Sequence, residues 1–214
     1  AGNTAETIWP PGGRYIFPAS ADTIEVSSDD AGDAAAGVGL QTVQLGGLDA
    51  NYLFITEIIT LNGVTPVTST LSFLRINEVV AKSAGTNKTA SGNITANHTT
   101  SGNTLGYIAI GDNISRQGVF TVPAATALYL EKVKAEGGLN DEFTFDMLAS
   151  NFGEDIPIKV ISDYIYQSSV PTPFIVPKKF GEKTDIELTA TNTGPGGNSK
   201  VSTFAQFILV IDPV

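Results

Sequence analysis

The chain has 214 residues, of which only 16% are charged, and its 22 Asp and Glu outweigh 12 Lys and Arg to give a formal net charge of −10. That balance opposes binding to nucleic-acid phosphates or to an anionic membrane surface, both of which need clustered Lys and Arg. The chain contains no cysteine, which excludes disulfides, thiolate metal sites and cysteine nucleophiles together.

The length is ample for a hydrophobic core in one generous domain or two small ones. A mean hydropathy of +0.10 separates the chain from disordered sequences, which combine high charge with low hydrophobicity. No apolar run reaches the length of a membrane-spanning helix. No charged-then-apolar leader begins at Ala1, so no signal peptide is expected. Small secreted animal domains usually carry disulfides, so a bacterial or viral origin is expected.

Residues 1–20 read as an extended N-terminal arm. Trp9-Pro10-Pro11-Gly12-Gly13 suits neither a helix interior nor a central strand, because proline fixes φ and removes a donor. Ile8, Trp9, Tyr15, Ile16 and Phe17 are too apolar for a solvated tail. The arm is expected to pack back on its own domain or to reach a neighbouring subunit, with Trp9 as the anchor.

Residues 21–214 read as a β-sandwich of jelly-roll type, with two β-subdomains divided near 82–104 as the alternative. Thr23–Ser27 alternates as a short strand. Ser28–Asp33 brings Asp29, Asp30 and Asp33 together, yet it lacks the spacing and closing Glu of a calcium loop. It is expected to be an acidic surface loop.

Gln41–Gly63 is the best-defined hairpin. Its turn is expected at Gly46–Asn51, where Gly, Asp and Asn tolerate a reversal, and Asn62-Gly63 closes it. Tyr52–Leu61 is β-branched and aromatic, with apolar residues on both faces, so a second cover by the arm or by another subunit is expected. Leu71–Asn77 reads as the next strand. Lys82–Asn103 is rich in Asn, Thr, Ser and Gly and reads as a loop or weak edge strands, with Asn93–Ala96 its one β-like piece. His98 is expected to be solvent-exposed there.

Strands are further predicted at Leu105–Ile110, Gly118–Val122, Ala127–Lys134, Glu142–Leu148 and Ile156–Tyr166. Gly137-Gly138 and Asn140-Asp141 supply a turn among them. Val170–Pro177 carries three prolines and reads as an extended edge or connection. Asp185–Asn192 and Lys200–Ile211 are expected to form a C-terminal hairpin. No window shows the apolar recurrence of an amphipathic helix, and closely spaced short strands with turn signals define an all-β chain.

Reactive groups are sparse. One imidazole without a Gly-x-Ser-x-Gly elbow does not assemble a nucleophile triad, and one His without Cys does not hold zinc. Gly32–Gly39 lacks the Lys and helix of a phosphate loop. Asp141, Glu142, Asp146, Glu154 and Asp155 could in principle pair as hydrolase carboxylates, but acidic residues in turns are ordinary surface groups. No enzymatic activity, cofactor or metal is expected.

Several stretches nevertheless have a familiar pattern. GLDANYLFITEIITLNG, FLRINEVVAKSAGTN and GNITA resemble segments of virion structural proteins of tailed bacteriophages, especially those of marine and cyanobacterial hosts. WPPGGRYIFPASADTIEVSS, SSDDAGDAAAGVGLQTVQLGGLD, IAIGDNISRQGVFTVPAATALYL and PFIVPKKFGEKTDIELTATNTGPGGNSKVSTFAQFILVID extend the resemblance over most of the chain. These motifs are turns and strand patterns, so they imply scaffold and carry over no functional residues.

The resemblance implies a capsid decoration or cement protein at the virion surface, bound to the major capsid protein. Phage shell symmetry implies a homotrimer. Trp9, Tyr15, Phe17, Phe54 and Ile55 are the candidate interface residues. The rival expectation is a receptor- or carbohydrate-binding sandwich of a head or tail fibre, using Tyr107 or Tyr129 as a platform. A tail or neck subunit is the third.

Overall fold

The computed structural model describes residues 4–138, 141–154, 156–166, 172–194 and 201–211. Every regular element among them is a β-strand, and the sheets are antiparallel throughout. The chain divides into two compact units. Residues 15–117 form one, called here the inserted unit; residues 1–14 with 118–214 form the other, the split unit. The segment 82–104 lies inside the inserted unit, and the first twenty residues contribute to both.

The split unit begins with β1 (Glu6–Thr7), after which the inserted unit runs through seven strands. These are β2 (Ile24–Ser28), β3 (Leu40–Leu48), β4 (Phe54–Thr60), β5 (Val67–Thr68), β6 (Arg75–Ala84), β7 (Ile94–His98) and β8 (Thr104–Ile108). One sheet has the order β5-β2-β7-β8 and the other β4-β3-β6. On β2 and β7 the side chains of Ile24, Val26 and Ser28, and of Ile94, Ala96 and His98, alternate inward, as a sheet with one covered face requires. The two sheets meet closely at Gly106, where a Cβ would lie 2.5 Å from Val79 Cγ2 on β6.

Two expectations for this unit are corrected. The hairpin turn falls at Asp49–Leu53, and Gly46 and Gly47 lie within β3. Asp49 Oδ1 accepts from the amides of Asn51 and Leu53, an Asx arrangement that shapes the reversal, while Tyr52 takes φ 63°. A Cβ on Gly47 would meet the Arg75 carbonyl oxygen at 2.1 Å, so that glycine permits close strand approach. The other correction concerns Lys82–Asn103, expected as a loop or weak edge strands: β6 extends to Ala84, and β7 sits between β2 and β8 inside its sheet, so it is no edge strand, and it ends at a buried His98.

The split unit continues with β9 (Val119–Thr121), β10 (Thr126–Gly137), β11 (Glu142–Ser150), β12 (Ile158–Tyr166), β13 (Thr172–Phe180), β14 (Asp185–Asn192) and β15 (Val201–Ile211). One sheet runs β1-β14-β11-β12 with β9 also on β14, and the other runs β13-β10-β15. Phe143, Phe145 and Met147 of β11 and Ile186, Leu188 and Ala190 of β14 form one core with Leu128, Leu130, Val133 and Ala135 of β10. This is face-to-face packing of two sheets.

The expected C-terminal hairpin is corrected here: β14 pairs with β11, β1 and β9, while β15 pairs with β10 in the other sheet. Part of the predicted turn after β10, and the connection between β14 and β15, lie outside the described residues. The strand orders and the shared core give sandwich layering within an all-β fold.

Candidate functional site

The five candidate interface residues occupy different environments. Trp9 is half-buried in the split unit, with Nε1 donating to the Gly12 carbonyl at 2.9 Å. The segment around it is held by β1 pairing with β14 and by Glu187, which accepts from the Thr7 hydroxyl and from Arg14 Nη2. Burial pushes the Glu187 carboxyl above its ordinary range, and Thr7 and then Arg14 draw it part of the way back.

Tyr15 and Phe17 belong to the inserted unit. Tyr15 is buried, meets Phe17 edge to face at 4.9 Å between centroids, and directs its hydroxyl to the Leu105 carbonyl. The Arg75 guanidinium lies 5.2 Å from the Phe17 ring and donates to the carbonyls of Pro18 and Leu74. These contacts are all made within residues 15–117. They leave Tyr15 little surface to offer a partner.

Phe54 and Ile55 lie on opposite faces of β4, as strand alternation demands. Ile55, Glu57 and Ile59 share the face paired over Gly47, Leu45 and Val43 of β3, with Ile59 buried and Ile55 partly so. Phe54 and Ile58 stand on the other face, 54% and 60% exposed, separated by exposed Thr56. β4 is an edge of its sheet. Its outer face carries no charge, and Leu53 extends the open apolar surface. Glu57 accepts from the amides of Thr70 and Leu71 and so fixes the loop beside the strand.

The described groups singled out for chemistry make local hydrogen bonds or ion pairs. His98 is 5% exposed, not a solvated loop residue. Its Nδ1 accepts from the Ser101 amide at 3.2 Å, which places the proton on Nε2, facing the Ser20 carbonyl at 3.2 Å. Ser101 Oγ and Asp22 both approach Nδ1. A catalytic triad needs the acid and the nucleophile on opposite ring nitrogens, so this cluster is a clasp for the turn after β7. The Thr100 hydroxyl and the Thr23 amide hold the Asp22 carboxyl below its ordinary value.

The acidic loop is also corrected in part, because Asp33 is fully buried. Its Oδ1 accepts from the amides of Leu40 and Ser91, and its Oδ2 from the Gly92 amide and the Ser28 hydroxyl. One carboxylate thus joins β2, the start of β3 and the segment before β7. Nothing in the sequence near Asp33 signals this, since two of its donors lie more than fifty residues away.

Among the described residues no group of three or more His, Asp and Glu could hold a metal ion. Of the carboxylates considered for hydrolysis, Asp146 faces Lys159, Glu142 accepts from the Tyr164 hydroxyl, Asp141 from the Gly138 amide, and Glu154 from Asn151. Asp155 lies outside the described residues. No helix among the described residues is long and apolar enough to cross a membrane.

The feature that the strand patterns did not single out is β15. It carries exposed Phe204, Phe207, Ile208, Leu209, Val210 and Ile211 at an edge of its sheet. A charge-free run of apolar residues at the chain's last strand was the available signal. Comparison with known proteins returns no matching family model, no matching curated protein and no matching solved structure.

Proposed function

We propose that this chain is a non-enzymatic virion structural protein, a capsid decoration protein that binds and stabilises the major capsid shell of a tailed bacteriophage. The observation that carries the reading is the uncharged outer face of the edge strand β4, where Phe54 and Ile58 stand open. Burying apolar area contributes roughly 25 cal/mol per Å², and interface centres are depleted of charge and enriched in aromatics. A rigid sandwich with such a strip is suited to bridging subunits of a shell, where added contact area resists internal pressure. The resemblance of the β3–β4 hairpin and its flanks to phage virion proteins supports the location. The local engagement of His98 and the carboxylates supports a structural role.

The carbohydrate-binding alternative has less support. Lys179 lies over the Tyr129 ring at 5.8 Å, and Tyr107 is half-buried on β8, so neither ring offers an open platform. The test adds purified protein to decoration-stripped capsids and measures co-sedimentation. The wild-type protein should pellet with particles and Phe54→Lys should stay in the supernatant. Wild-type protein that remains soluble while binding host cells or lipopolysaccharide would overturn the reading.

A further inference from the structure

A sheet edge displays backbone N–H and C=O groups that a further strand can pair, and natural proteins block such edges with charge, proline or short length. The described edge strands of seven residues or more follow that practice, with one exception. β4 carries Glu57; β6 carries Arg75, Glu78 and Lys82; β12 carries Lys159 and Asp163; β13 carries Pro173, Pro177, Lys178 and Lys179. β15 has eleven residues, VSTFAQFILVI, with no charge and no proline. Among the described strands it pairs only with β10, from Thr126↔Ile211 to Gly137↔Val201.

Both faces of its C-terminal half carry exposed side chains, with Phe207 also meeting the Phe120 ring at 5.1 Å between centroids. Register with β10 places Ile208 and Phe204 beside Tyr129 and Lys134, and places Leu209 and Phe207 beside the buried Leu128 and Leu130. Ile208 is nevertheless 50% exposed and Ile211 78% exposed. An occupant of this edge must therefore supply an extended backbone and uncharged side chains together.

Charge selects the occupant. A chain with a net charge of −10 meets its own copy favourably only where like charges are absent, and β15 is such a place. Pairing β15 with any of the other four edges would set it against Glu, Asp, Arg, Lys or proline. Desolvating an ion there costs more than an apolar contact returns, and proline withholds a ladder donor. β15 of a second molecule carries none of these.

We infer that β15 pairs antiparallel with β15 of a second copy across a two-fold axis, continuing the β13-β10-β15 sheet from one molecule into the next. Such a contact is isologous, the same patch on both partners. It builds a dimer in place of the trimer expected from shell symmetry. It does not depend on the capsid reading, because particle retention is assigned to β4 and measured separately.

The test is sedimentation velocity on the full chain across nanomolar to high micromolar concentrations, with Ile208→Lys/Val210→Lys as the variant. The wild-type protein should be a dimer that dissociates on dilution, and the variant should be monomeric with an unchanged far-ultraviolet circular dichroism spectrum. A wild-type monomer at every concentration, a wild-type trimer, or a variant that assembles like wild type would overturn the inference. Should the variant misfold, hydrogen exchange on the wild type decides. The β15 amides should exchange about tenfold or more faster after dilution to the monomer, and concentration-independent exchange would refute the pairing.

Discussion

In the inserted unit, loops are tied to the sheets by side chains: Asp33 gathers four donors, His98 clasps the turn after β7, and Glu57 pins Thr70 and Leu71. In the split unit the strands are long, and β10 runs twelve residues with β15 on one side and β13 on the other. There the ladder and an aromatic core carry the structure, and the last strand lies bare. Short strands with many loops need polar anchors because each buried backbone group must find a partner. Long strands satisfy their own backbone, and the cost appears at the edge instead. The two units thus hold themselves together by different means, and each exposes apolar side chains on a different edge strand.

The comparison is broken most severely by Asp33→Ala. That change leaves the Leu40, Ser91 and Gly92 amides and the Ser28 hydroxyl without their acceptor. At about 1–3 kcal/mol for each buried unsatisfied group, a loss of about 5 kcal/mol is expected. Hydrogen exchange should localise it to residues 15–117, and equal loss of protection in the split unit would mean that the units do not fold independently.

Phe143→Ala is the counterpart in the split unit. Phe143 is fully buried in the core, and truncating such a ring costs about 3–5 kcal/mol. Urea unfolding followed by exchange should show protection lost from β10, β11 and β14, with residues 15–117 retained.

pH separates the units by sign. The Glu187 carboxyl of the split unit is raised above 4.5 by burial. Its stabilising share is therefore fully present below its unfolded value and lost as pH rises through the folded value. Asp22 of the inserted unit is lowered from 3.8 by the Thr100 hydroxyl and the Thr23 amide. Its share is present above the unfolded value and lost as pH falls through the folded one. Carboxyl-resolved NMR titration of both residues should give these opposite displacements, and Glu187→Gln should flatten the pH dependence of the split unit.

The all-β class is legible because β2, β11 and β14 alternate, and period-two spacing alone puts Phe143, Phe145 and Met147 on one face. What the sequence concealed was non-local. Gly46 and Gly47 look like turn glycines, yet the approach of the Arg75 backbone explains Gly47. The glycine-rich stretch after β14 reads as a hairpin turn, but strand partners are chosen by the core, and β15 joins β10 across the sandwich. His98 lies among Asn, Thr and Ser, whose polarity hides a buried position beside β2 and Ser20. For the candidate interface, alternation separates Phe54 from Ile55, but which of the two faces is covered is set by packing from outside the hairpin.

The smallest expected effect on stability is that of Phe54→Lys, whose exposed side chain makes it a surface substitution within about 0.5 kcal/mol of wild type. That neutrality lets its loss of capsid retention be read as lost contact. The most direct measurement is hydrogen exchange across residues 53–60 of the wild-type protein, free and bound to phage particles. Slowed exchange confined to this strand on the particle is the predicted result. Identical exchange in the free and bound states would contradict the assignment of β4 as the shell-binding surface.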